Sequence, residues 1–258
     1  MTLPFDAIPP DDRGFTLGDG LFETVLAEGG VLDLWPEHVA RLQRGCATLG
    51  LPAPEEALLR REAMAALDAA GLMTARAAVR LSWTAGQGGR GLDRPAALAP
   101  QLSVLAMPAP APTGPARLVT ASVRRNETSP VSRLKTLSYL DQVLARRQAV
   151  AAGGDEALML NGAGLVACAA AANIFWLSRG VLHTPALDCG VLDGVMRARV
   201  IARSPASVVE THAPAEALVD AQAVFITSSL IGLRAVASLD GRSIGGEALV
   251  SALAEALA

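Results

Sequence analysis

The stretch Met107-Pro-Ala-Pro-Ala-Pro-Thr-Gly-Pro-Ala116 constrains this chain more than any other. Its four prolines fix φ and withhold backbone donors, so neither a helix nor a sheet ladder can run through it. It reads as a linker at 107–116 and predicts an N-terminal domain over 1–106 and a C-terminal domain over 117–258. Each part is long enough to bury a core, and a composition of 51% hydrophobic and 18% charged residues excludes a disordered chain.

Before the linker, Pro36 to Leu49 and Pro54 to Ala70 carry apolar residues at helical spacing, with Pro near the start and Gly after the end. Ala77 to Trp83 and Leu102 to Met107 read as strands, and Gly86-Gln-Gly-Gly-Arg-Gly91 as a mobile loop. Beyond it, strands are expected at Leu118–Val123, Glu156–Leu160, Asn173–Leu177 and Ala223–Thr227, and helices at Thr136–Ala152, Asp193–Ala202 and Glu247–Leu257. The elements mix without clean βαβ alternation, so the expected class is a two-domain α/β (α+β) fold without a Rossmann sheet.

A net charge of −3 without basic runs argues against nucleic-acid and anionic-membrane partners; a small-molecule substrate is expected. No apolar stretch reaches bilayer length, and Met1-Thr-Leu-Pro-Phe-Asp6 lacks a basic segment followed by an apolar one, so a cytoplasmic protein is expected. Cys46, Cys168 and Cys189, and His38, His183 and His212, show no metal-ligand spacing, and no metal is expected.

Among 22 basic residues 21 are Arg and one is Lys135. Only the lysine can lose its proton and act as a base or form a Schiff base. Tyr139, the single tyrosine, follows one helical turn later, where a phenol could lie beside the lysine nitrogen. Asp193, a plausible helix N-cap, precedes Gly194, where free amides would suit a phosphate, and Thr227-Ser228-Ser229 places hydroxyls at a strand end. Ordinary caps and turns look the same. Arg90 in the glycine-rich loop could clamp a carboxylate or simply face solvent. His38 and Arg41 could flank an anion or form a solvated helix face. A lysine with two phosphate-type sites fits a pyridoxal-phosphate enzyme.

Seven motifs in order carry a resemblance: Phe15-Thr-Leu-Gly-Asp-Gly-Leu-Phe-Glu-Thr24, His38-Val-Ala-Arg-Leu42, Thr84-Ala-Gly-Gln-Gly-Gly-Arg-Gly91, Leu134-Lys-Thr-Leu-Ser-Tyr-Leu140, Asn173-Ile-Phe175, Leu192-Asp-Gly-Val-Met-Arg197 and Phe225-Ile-Thr-Ser-Ser-Leu-Ile-Gly232. Together they resemble the class IV (fold type IV) pyridoxal-phosphate enzymes, which include branched-chain and D-amino-acid aminotransferases and 4-amino-4-deoxychorismate lyases. The third, fourth and last look most like the lyases. The resemblance implies a homodimer with the cofactor, pyridoxal 5'-phosphate, in a cleft between domains. It makes Lys135 the Schiff-base lysine and proton shuttle. Arg41, the backbone of Val195 and Met196, and Ser228 and Ser229 become phosphate ligands, Tyr139 and Asn173 flank the cofactor, and Arg90 holds a substrate carboxylate.

One position departs from the pattern. In Gly164-Leu-Val-Ala-Cys-Ala-Ala-Ala-Ala-Asn173, Cys168 stands where the family has the glutamate that pairs with the pyridine nitrogen. A register slip that brings Asp155 or Glu156 to the ring is the alternative. The expected activity is conversion of 4-amino-4-deoxychorismate to 4-aminobenzoate and pyruvate, a step of folate synthesis. The alternatives are a D-amino-acid or branched-chain-type aminotransferase, or a catalytically silent cofactor-binding protein.

Overall fold

The structure, a computed structural model, describes residues 8–257 and the backbone of Thr2 and Leu3. Most of the Met1–Asp6 segment, on which the reading of the N-terminus rests, lies outside the described residues. The chain forms two compact units, Met1–Ala111 with Leu134–Ser138, and Pro112–Arg133 with Tyr139–Ala258.

The first unit contains β1 (Thr2–Leu3), α1 (Arg13–Leu17), β2 (Gly20–Glu28), β3 (Val31–Leu32), α2 (Trp35–Leu49), α3 (Glu56–Ala69), β4 (Arg76–Thr84) and β5 (Gln101–Pro108). Its sheet runs β1-β5-β4-β2-β3, with β2 and β4 paired residue by residue from Gly20↔Thr84 to Glu28↔Arg76. Side chains alternate across a strand. Leu21, Val25 and Ala27 of β2 pack with Val79, Leu81 and Trp83 of β4 against Val39, Leu42 and Cys46 of α2 and Leu59, Ala63 and Leu67 of α3. The same alternation puts Glu23 on this apolar face, while Phe22 and Arg80 lie on the other.

β3 covers β2 only at Ala27 and Glu28, which leaves the edge at Gly20–Phe22 open. Residues 135–137 take it: Phe22 N–H donates to the Lys135 carbonyl at 2.8 Å, Leu137 N–H donates to the Gly20 carbonyl at 3.0 Å, and Thr136 lies opposite Leu21. This extended pairing corrects the helix expected from Thr136. The helix begins at Leu140, and Tyr139 is its N-cap residue, so Lys135 and Tyr139 are not one helical turn apart.

The Gly86–Gly91 loop is tied down, contrary to the mobile loop expected. Buried Arg13 donates to the carbonyls of Asp93 at 3.0 Å and Leu92 at 3.1 Å, more weakly to those of Gly88 and Gly91 at 3.4 Å, and pairs with Asp19 at 2.9 Å. Gly86 is required: at φ +81° a Cβ there would lie 2.0 Å from the Ala99 carbonyl oxygen.

The second unit contains β6 (Ala116–Thr120), α4 (Leu140–Ala151), β7 (Glu156–Leu160), β8 (Val166–Ala169), β9 (Asn173–Ser178), β10 (Val181–Pro185), α5 (Val195–Arg203), β11 (Val208–Thr211), α6 (Glu216–Val219), β12 (Ala223–Ser228), β13 (Gly232–Leu239), β14 (Arg242–Ser243) and α7 (Glu247–Leu257). Its mixed sheet runs β11-β10-β9-β12-β13-β6-β7-β8, with β14 paired to β13. Strand β5 ends at Pro108 and β6 starts at Ala116, so the connection between them is 109–115. Among the described residues, no helix is long and apolar enough to cross a membrane.

Hydrogen bonds to a charged donor contribute about 1.5–3 kcal/mol. Arg13→Ala should therefore speed amide hydrogen exchange across 86–94 by roughly tenfold or more, with α3 unaffected, as read by exchange mass spectrometry.

Candidate active site

In the first unit the site is built around a charge on an apolar face. Glu23 is 1% exposed between Leu21 and Val25. A buried carboxylate is tolerated only when paired and hydrogen-bonded. One turn of α2 supplies both partners: His38 Nδ1 lies 2.7 Å from Glu23 Oε2, and Arg41 binds the carboxylate with Nε at 2.8 Å and Nη2 at 2.5 Å. Burial pushes the Glu23 carboxyl up, but the charge and hydrogen bonds of Arg41, then His38, bring it down to about 2. His38 and Arg41 are thus not a solvated helix face; His38 is 1% exposed.

Lys135 lies opposite Phe22 on the neighbouring face. Its Nζ stands 4.1 Å from the Phe22 ring centroid, and the Arg80 guanidinium stands 3.8 Å from the same centroid. Two cations on one ring are held by its quadrupole. Loss of hydration pushes the Lys135 amine down to about 7; Arg41 and Arg80 push it the same way, and Glu23 opposes them. Near neutrality the amine is present in both protonation states, as a proton shuttle requires.

Arg90, expected to hold a carboxylate, is exposed and engages Asp93 through its backbone. The guanidinium that shares the Phe22 ring with the amine is that of Arg80, which sequence reading missed. The available signal was an arginine inside an otherwise apolar run, Ala77-Ala-Val-Arg-Leu81.

In the second unit, Asn173 begins β9 and pairs with Thr227 of β12, from which the chain turns through Ser228 and Ser229. Asn173 Nδ2 donates to the Leu192 carbonyl at 2.9 Å, and its Oδ1 lies so close to Gly194 that a Cβ there would meet it at 2.0 Å. Asn173 therefore fixes the start of α5. The N-cap is Gly194, which makes no side-chain cap; Asp193 instead lies 3.9 Å from Arg197. The amides of buried Val195 and Met196 begin the helix, where its dipole favours an anion. This uncapped helix start, with serines following the neighbouring strand end, fits a phosphate.

Cys168 lies on β8 opposite Met159, packed among Ala145, Ala157 and Ala170. Burial pushes its thiol up, countered by the charge of Arg125 and reinforced by that of Glu156. It is neutral at pH 7. The two alternative carboxylates are committed elsewhere, Asp155 to Arg117 at 3.0 Å and Glu156 to Arg146 at 2.6 Å. Tyr139 is half-buried at the start of α4.

Sequence spacing shows no metal-ligand set, yet parallel pairing of β10 and β11 brings Asp188, Cys189 and His212 together, with candidate ligand atoms within 4.8 Å of one another. His212 Nε2 and Asp188 Oδ1 already pair at 2.7 Å, and Cys189 is buried, its thiol pushed up by burial. The group reads as a surface pair above a packed thiol.

The model of the class IV amino-transferases matches residues 20–239, and the chain belongs to this family of pyridoxal-phosphate-dependent enzymes. A Methanocaldococcus jannaschii protein with a provisional name of branched-chain-amino-acid aminotransferase is 34% identical over 92% of this chain and 84% of its own length. The aminodeoxychorismate lyase of Bacillus subtilis is 30% identical over 87% and 78%. The crystal structure of 4-amino-4-deoxychorismate lyase from Pseudomonas aeruginosa has a TM-score of 0.87 at 32% identity, covering 97% of this chain and 94% of that one. The fold is that of the fold type IV enzymes.

Gly194→Ala should force Asn173 off the Leu192 carbonyl. Cofactor affinity, read by fluorescence titration of the cofactor-free protein, should fall by roughly tenfold, about 1.4 kcal/mol, with far-UV circular dichroism unchanged.

Proposed function

We propose that this protein converts 4-amino-4-deoxychorismate to 4-aminobenzoate and pyruvate, with pyridoxal phosphate as cofactor. When bound, the cofactor supplies an aldehyde that captures amines and a ring that draws electrons from the neighbouring bond. Lys135 is the residue to hold it. The start of α5 with Ser228 and Ser229, and Arg41, are the residues to take its phosphate. Arg80, which shares the Phe22 ring with the amine, takes a substrate carboxylate in the place first expected of Arg90.

Lys135 in its neutral form removes the proton from the amino-bearing carbon of the substrate. In its protonated form it delivers a proton to the enolpyruvyl methylene. The C–O bond to the substrate ring breaks, pyruvate leaves, and the ring becomes aromatic. No water or oxidant enters, and the atoms of the substrate are divided between the two products.

The observation that carries this reading is Cys168. A neutral buried thiol near the Arg125 guanidinium supplies no anion to hold a proton on a pyridine nitrogen, which weakens the ring as an electron sink. Transamination depends fully on that sink, whereas elimination is also driven by aromatisation. The aminotransferase reading is favoured by the 34% identity to the M. jannaschii protein. It predicts that an amino acid alone converts the bound cofactor to its amine form. The homodimer and the cytoplasmic setting belong to the same proposal.

Purified protein loaded with cofactor should release 4-aminobenzoate from aminodeoxychorismate; failure together with rapid D-alanine or branched-chain transamination would overturn the lyase reading. Cys168→Glu should raise the half-reaction rate with amino acids at least about tenfold, a difference of about 1.4 kcal/mol in barrier. An unchanged rate would remove Cys168 as the reason for the preference.

A further inference from the structure

Glu23 has no part in the chemistry described so far, yet it is a charge placed on the apolar face of the first sheet. Its carboxylate grips the Nε and Nη2 edge of Arg41 and accepts from His38, and it lies on β2 next to Phe22, over which Lys135 and Arg80 stand. A residue kept only for stability would be replaced at little cost by an apolar one together with its partners, because a buried ion pair contributes little net stability. The arrangement instead sets a negative charge at the strand position next to Phe22, the residue whose ring Lys135 and Arg80 share.

We propose that Glu23 is a positioning residue for the Lys135 amine: it fixes Arg41 along one edge and sets a negative charge against Arg41 and Arg80, so that the amine can both give up a proton and take it back. Among the described residues, the charged groups that act on Lys135 include Arg41 from α2, Arg80 from β4 and Glu23 from β2, and His38 of α2 faces Glu23. Desolvation and the two arginines all favour the neutral amine, and Glu23 opposes them. Without it the Lys135 amine would be a weaker base, less able to take the substrate proton, and less of it would be protonated at pH 7 to return one. The inference rests on Lys135 moving the substrate proton, and holds for elimination and transamination alike.

Because the chain has one lysine, protein made with 13C,15N-lysine gives one side-chain signal, and the titration of Lys135 can be followed by NMR in the cofactor-free protein. The wild-type midpoint should fall near 7. In Glu23→Gln it should move down by about one pH unit, the usual scale for loss of a nearby opposite charge, and in Arg80→Gln it should move up. In the loaded enzyme Glu23→Gln should lower kcat at pH 7 with KM nearly unchanged. A midpoint that stays put or rises in folded Glu23→Gln would overturn the proposal. If that variant does not fold, Arg41→Gln is compared with Glu23→Gln/Arg41→Gln, in which both members of the ion pair are neutral. The double variant should titrate about one unit below the single one, and equal midpoints would overturn the proposal. The NMR result is independent of the reaction catalysed. A normal shift without 4-aminobenzoate formation would count against the lyase reading alone, and 4-aminobenzoate formation without the shift against the role of Glu23 alone.

Discussion

Two backbone hydrogen bonds decide what the lysine can do. Phe22 N–H to the Lys135 carbonyl and Leu137 N–H to the Gly20 carbonyl lay residues 135–137 along the open edge of β2. The chain leaves the first unit after Ala111, returns for Leu134–Ser138 and leaves again. An extended segment on a sheet edge has a fixed register, so a shift by one residue would move Lys135 to the opposite face. The register observed puts its amine over Phe22, the ring that Arg80 also meets, on a strand whose opposite face carries Glu23.

That placement has an electrostatic cost, because two guanidiniums and a loss of hydration act against a protonated amine. Glu23 offsets part of it and is itself held by Arg41 and His38. The balance leaves Lys135 close to neutrality, where one group can serve as base and then as acid. In the second unit the same economy applies to anions: Asn173 ties the start of α5 by its side chain, so the helix amides need no cap of their own.

Much of this was legible in the sequence. Helices over Glu56–Ala69 and Glu247–Leu257, and strands such as Glu156–Leu160, follow the apolar spacing closely because burial alone decides them. The motif order led to the family without any structure. What failed did so where long-range pairing overrides local pattern. Thr136-Leu-Ser138 continues a helical spacing, but its backbone is taken by β2, which places Tyr139 at a helix start instead of one turn inside. Arg90 looked functional because glycines surround it, yet Arg13 pins that loop and Arg80 is the residue brought to the lysine. Glu23 was hidden within a motif, since a carboxylate on a core face reveals its purpose only when α2 is packed on it. Cys168 was recognised as a departure from sequence alone, and the structure adds that Asp155 and Glu156 are held by Arg117 and Arg146.

The central claim is that Lys135 is the residue to which the cofactor is attached. Reduction of the cofactor-loaded protein with borohydride, followed by proteolysis and mass spectrometry, tests it directly. The account predicts a single modified peptide carrying the reduced cofactor on Lys135 and none in Lys135→Ala. Cofactor fixed elsewhere, or no covalent attachment in a protein saturated with pyridoxal phosphate, would contradict it.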